Sequence, residues 1–149
     1  MAFDVRKAFA RIRSKPEEDP RRQPLLVAEL ALWSAMTDGT LTREELAAIT
    51  GVLREIPAIA DFTVEDTARL VAEICDRYQS EDAIAARIEE VAGAILEPSL
   101  QRIAYMLAVM CASSDGVFSD DENAFLHGLQ ALFSLSDDDA ERLAREAIG

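Results

Sequence analysis

The 149-residue sequence holds one histidine, two cysteines and no lysine beyond Lys15, and each scarcity removes a class of function. Zinc and related transition-metal sites draw on several Cys or His side chains. His127 alone, with Cys75 and Cys111 lacking any CxxC spacing, does not supply them, and His127 reads as a solvated surface residue. Both cysteines fall among apolar residues and read as buried free thiols of a reducing compartment. Basic charge is short as well: 15 Lys and Arg stand against 28 Asp and Glu, for a net charge of -13. A phosphate backbone needs basic charge to displace its counterions, so nucleic acid is excluded as the main partner. The longest unbroken apolar run, Ile103 to Ala112, falls short of the roughly 20 residues of a membrane span. The basic N-terminus leads into no apolar stretch of the signal-peptide kind. There is no Gly-rich phosphate loop and no GxSxG, and neither cysteine nor any serine has an evident histidine partner, so no enzyme is expected. The expectation is a soluble, cytoplasmic protein that does not span a membrane.

The charge that is present is unevenly placed. Residues 1–24 carry +3, through Arg6, Lys7, Arg11, Arg13, Lys15, Arg21 and Arg22, whereas residues 25–149 carry -16. Phe3 to Ile12 has Phe3, Ala8, Phe9 and Ile12 at amphipathic-helix spacing. The segment from Ser14 to Pro24, with Pro16, Pro20 and Pro24, reads as a linker. Residues 1–24 are therefore expected to form a basic arm and linker, and residues 25–149 the folded domain. The arm has three available partners: anionic lipid, an acidic protein, or the acidic body itself, with the last favoured.

Beyond the linker nearly every segment repeats apolar residues at helical spacing, and strand signatures are missing. Leu25 to Met36 has only Glu29 and Ser34 as polar residues, and Ile103 to Ala112 only the Tyr105 hydroxyl. A helix apolar all round belongs at the centre of a fold. Glu29 in such a helix either lines a solvent-facing edge or pairs with an arginine. Narrower stripes mark the surrounding helices: Leu46, Ile49, Leu53 and Ile56; Ala68, Val71, Ile74, Cys75 and Tyr78; Ile84, Ile88, Val91, Ala92 and Ile95; Phe125, Leu129, Leu132 and Phe133; and a last helix from about Asp137 to Ile148. Glu97-Pro98 ends the third stripe and Ser99 opens the second apolar helix. The fold class is all-α, a single compact domain of seven or eight helices.

The chain also repeats itself. A shift of 77 lays AMTDGTLTREELAAI (35–49) over ASSDGVFSDDENAFL (112–126), and a shift of 73 lays FTVEDTARL (62–70) over LSDDDAERL (135–143). Trp33 and Met110 fall at aligned positions and read as core. Two copies of helix, DG turn, helix, loop, helix predict pseudo-twofold halves around two buried central helices.

Much of each DG turn is explained by helix capping. Gly39 and Gly116 tolerate the left-handed conformation at a helix C-terminus. Thr42 with Glu45, and Ser119 with Glu122, have capping-box spacing, and Thr63 with Asp66 and Ser136 with Asp139 echo it with a shorter acid. Asp137-Asp138-Asp139 is favourable acid at a helix N-terminus. Capping does not explain Asp38 and Asp115, which follow helix C-termini where the field is already negative. With Glu44, Asp120 and Asp121 nearby, they make an oxygen-rich environment for a hard cation such as calcium. DGTLTREE and DGVFSDDE match the second half of an EF-hand loop. The opening positions are Ser34, Met36, Cys111 and Ser113 instead of acids or amides, so a full EF-hand is not expected.

The doubled pattern A-x-x-D-G-x-[L/F]-[S/T]-x-x-E, each copy between an apolar and an amphipathic helix, resembles the TerB-like tellurite-resistance family over residues 25–149. Thr37 and Ser114, before each Asp, depart from the Ala common there. The resemblance implies a compact helical fold, a link to tellurite and other stress responses, and work alongside other stress-response proteins near the membrane. It also implies divalent-cation binding, with Asp38, Glu45, Asp115 and Glu122 as the matching ligands. The competing reading is an interaction scaffold in which these acids only cap helices and solubilise the surface. A hydrolase stands third, and requires one deep pocket collecting Glu45, Glu122 and His127.

Overall fold

Pro24 has no amide hydrogen to lose and lies in the first turn of α1 (Arg22–Ala35), where that hydrogen would have no helical acceptor. In the computed structural model, which describes residues 20–36, 41–112 and 120–148, six further helices follow. They are α2 (Arg43–Leu53), α3 (Val64–Arg77), α4 (Glu81–Ala94), α5 (Pro98–Ala112), α6 (Asp120–Leu132) and α7 (Asp137–Ile148), with a 3-10 turn at Pro57–Ile59. No strand occurs among the described residues. The expected helix over Phe3 to Ile12 lies outside them, as do Asp38, Gly39, Ser113, Asp115, Gly116 and Ser119.

The two apolar helices α1 and α5 make the most extensive helix–helix contact. Val27, Ala28, Leu30, Ala31 and Leu32 from α1 meet a core that includes Ala104, Leu107, Ala108 and Val109 from α5, all essentially solvent-free. Fully burying each large aliphatic side chain contributes about 1.5–3 kcal/mol, so this pair organises the domain. Two polar contacts fix its direction. At one end the Gln23 side-chain oxygen Oε1 accepts from the Leu96 and Glu97 N–H groups at 3.0 and 3.3 Å. At the other end the Ser34 hydroxyl donates to the Ala108 carbonyl at 3.1 Å. Gln23 and Ser34 are eleven residues apart, and so are Glu97 and Ala108. The helices therefore run parallel, with their N-termini at one pole and their C-termini at the other.

The outer helices cover this pair. α7 packs chiefly on α5, α4 on α1, and α3 on α2. Of the expected capping signals, those at Thr42, Thr63 and Ser136 are in view, and the one at Ser119 lies outside the described residues. Thr42 and Glu45 exchange bonds of 3.1 Å each at the start of α2, and Thr63 and Asp66 do so at 3.1 and 2.9 Å at the start of α3. The donors of Thr63 hold the Asp66 carboxyl below the usual range, Arg69 adding to the effect. At α7 the Ser136 hydroxyl accepts from Asp139 N–H at 3.0 Å, while the Asp139 carboxylate takes Arg142 at 2.8 Å.

Several helix boundaries differ by a residue or more from the periodicity: α1 already begins at Arg22, within the expected linker, and Ile95 and Phe133 fall just past α4 and α6. α2 stops at Leu53, and Ile56, still buried, instead leads into the 3-10 turn at Pro57. Tyr78 caps α3 and is not part of it, and α5 opens at Pro98 in place of Ser99. Ser134 adopts a left-handed φ of 52° just past α6. Leu135 N–H bonds Gln130 O at 3.0 Å and Ser134 N–H bonds Ala131 O at 3.2 Å, the hydrogen-bond pair of a Schellman ending.

Candidate functional site

Because α1 and α5 are parallel, the chain leaves both of them at the same pole, at Met36 and at Ala112. Each helix contributes roughly half a negative charge there through its unpaired carbonyls. Glu45, in the first turn of α2, lies close enough to the end of α5 to act on Cys111. Burial first, and the Glu45 charge second, push the Cys111 thiol up to about 12. The first turn of α2 and the last turn of α5 are therefore neighbours, although their residues belong to different sequence copies.

The four expected ligands are only partly in view. Glu45 is half-buried, and one of its carboxylate oxygens is committed to the Thr42 amide. Glu122 is buried at 3% exposure in the first turn of α6, beside the exposed Asp120 and Asp121. Asp38 and Asp115 lie outside the described residues. Among the described residues no three His, Cys, Asp or Glu side chains are arranged to hold a metal ion. Ser34, an opening position in the EF-hand comparison, is buried, with its hydroxyl on the Ala108 carbonyl.

His127 is exposed, as expected. It borders a hollow of about 220 Å³ together with Asn123, Gln130, Asp137 and Glu141; neither Glu45 nor Glu122 lines it. Cys75 corrects the sequence reading. It is exposed, with its thiol 3.7 Å from the Met36 sulfur. The buried line of α3 runs through Thr67 and Ile74, and one residue further turns the side chain by about 100°. Cys111 is half-buried.

Of the two readings of Glu29, the arginine holds. Glu29 is 5% exposed and takes Arg87 of α4 in a two-pronged ion pair, Nε to Oε2 and the second guanidinium nitrogen to Oε1, both at 2.8 Å. The Trp33 indole donates to the same Oε2 at 3.0 Å, and Arg87 also reaches Glu90 at 2.6 Å. The guanidinium lies 5.3 Å from the Tyr78 ring centroid, and Tyr78 meets Trp33 edge-on at 6.2 Å. These bonds from Glu29 hold Arg87 firmly protonated against the opposing effect of burial. Beside the cluster runs an apolar groove of about 580 Å³ lined by Trp33, Met36, Tyr78, Ile84, Ile88 and Phe125, with Cys75 on its wall. The sequence carried a signal for the ion pair: Glu29 is the one charged residue between Leu25 and Met36, and Arg87 the one basic residue of α4.

Among the described residues these features define an all-helical domain with a parallel apolar pair at its centre, both of whose C-termini lie at one pole. The family model described as tellurite resistance protein TerB matches residues 25–145, and the chain belongs to this family. No curated protein and no solved structure matches the chain. Among the described residues no helix is long and apolar enough to cross a membrane.

Proposed function

We propose that this tellurite-resistance-associated domain is a non-enzymatic cytoplasmic stress-response module that binds a divalent cation such as calcium through Asp38, Glu45, Asp115 and Glu122. The observation that carries the reading is the parallel direction of α1 and α5. It brings the C-termini of α1 and α5, after which the two DG segments follow in sequence, to one pole, and this supports one shared region for acids of the two copies. Two helix C-termini add negative field there, and a body charge of -16 raises the local cation concentration. Carboxylate oxygens at a turn suit a hard cation.

Calcium at about 100 times its Kd stabilises a single-site protein by about 2.7 kcal/mol. Isothermal titration with calcium, magnesium and zinc is expected to give binding heat with calcium and a raised Tm. Asp38→Asn combined with Asp115→Asn is expected to abolish both. Absence of heat and of a Tm shift at millimolar calcium overturns the cation reading.

The interaction scaffold is the second reading, favoured by the commitment of Glu45 to the α2 cap. It expects the same double Asn variant to capture stress-response partners as well as the parent does.

A further inference from the structure

The groove at which the described chain begins has the chemistry to receive the chain's own N-terminal arm. It holds about 530 Å³, with Ile56, Pro57, Leu100 and Ile103 in its apolar lining and Pro20 at its edge. Its charged lining residues are Glu55 and Glu97, both exposed carboxylates. Leu96, the chain neighbour of Glu97, is the most exposed large apolar residue described, at 68%. The other hollows fit a basic amphipathic segment less well. The Trp33–Phe125 groove has no charged lining residue, the hollow at Phe62 and Leu70 balances Asp66 and Glu73 with Arg21 and Arg69, and the one at His127 is smaller and more polar in its side chains.

The arm has matching chemistry. Val5, Ala8, Phe9 and Ile12 recur at the spacing of one helical face, and Arg6, Lys7, Arg11 and Arg13 stand between and beyond them. Seven residues lie between Ile12 and Pro20, so the span is at most about 29 Å. A tether this short holds the segment near the groove at an effective concentration on the order of millimolar. We propose that residues 5–12 dock in this groove of the same chain, apolar side on Ile56, Leu100 and Ile103, with the arm's cations facing Glu55 and Glu97. The basic arm then covers an apolar surface of the acidic body and partly neutralises its rim.

The test uses the full chain with Cys75→Ser and Lys7→Cys, a nitroxide attached at position 7, and amide signals read by NMR. The expected result is loss of most signal intensity at Ile56, Ala58 and residues 99–103 relative to the reduced label. Phe9→Asp with Ile12→Asp should restore those signals, and Glu55→Lys with Glu97→Lys should weaken the loss. Unchanged signals at these residues, or a loss centred on the Trp33–Phe125 groove, overturns the proposal. So does a loss seen only when labelled chains are mixed with isotope-enriched unlabelled ones, since that places the arm on a second copy.

Discussion

The two aligned halves of this chain use the same helix pattern but different interiors. In the first half, α1 buries Glu29 and Ser34, whose aligned positions in α5 are Met106 and Cys111. Behind α1, Thr50 of α2 and Thr67 of α3 share a hydrogen bond of 2.6 Å in the core. Their aligned positions are His127, exposed, and Ala140, buried. The packing follows the chemistry. In the second half the last helix, α7, lies directly on α5, whereas in the first half α3 touches α1 less and the linking helix α4 takes its flank. Arg87 is the residue that ties α4 to α1. Polar pairs thus tie α4 to α1 and α3 to α2 in the first half, while the buried residues of α7 that cover α5, Ala140 and Leu143, are apolar. A buried acid in an otherwise apolar helix acts here as an address for one neighbour.

The largest expected contrast is kinetic and separates the two thiols. With its pKa near 12, Cys111 exposes far less thiolate at pH 8 than an ordinary free thiol, by about 10³-fold. One fast-reacting thiol per chain, Cys75, is expected with Ellman's reagent in buffer and two in urea. Two fast thiols in buffer would show that the end of α5 is not packed as described.

Next in size is the address itself. Glu29→Ala removes the acceptor that Arg87 and Trp33 share, leaving Arg87 with the exposed Glu90, and should cost about 3 kcal/mol in urea unfolding. Glu29→Met with Arg87→Met, which makes α1 resemble α5 at position 106, should recover most of that loss. If the double variant is as unstable as the single, the ion pair does more than satisfy its own charges. The smallest effect belongs to the threonine pair. Thr67→Ala copies Ala140 and leaves Thr50 bonded to the Leu46 carbonyl, 2.7 Å away, so the loss should be about 1 kcal/mol.

What was legible in the sequence follows the range of the interaction that decides it. The helices and the caps at Thr42 and Thr63 are local, set by spacing of three or four residues, and periodicity shows them. The centrality of α1 and α5 was legible because a helix without a polar face has one place to go. The Glu29–Arg87 pair joins residues 58 positions apart; the sequence offers the candidate acid and the candidate base but not their meeting. The exposure of Cys75 was missed because an apolar stripe has a width, and its edge is set by how α3 is rotated against α1 and α2. The nearness of Glu45 to Cys111 depends on the parallel run of the central pair, which no local pattern encodes.

That parallel run also shapes how the chain reaches its fold. Two parallel helices cannot be joined by a short turn, so everything from Thr37 to Glu97 is a crossover, and the contact between Ser34 and Ala108 closes a loop of 74 residues. Helical domains fold fast when their contacts are local; here the main contact is among the most distant. During synthesis, at roughly 5–20 residues per second, α1 emerges seconds before α5 exists. For that interval its apolar surface has no permanent cover, and α2, α3 and α4 are the only segments of the domain available to shield it.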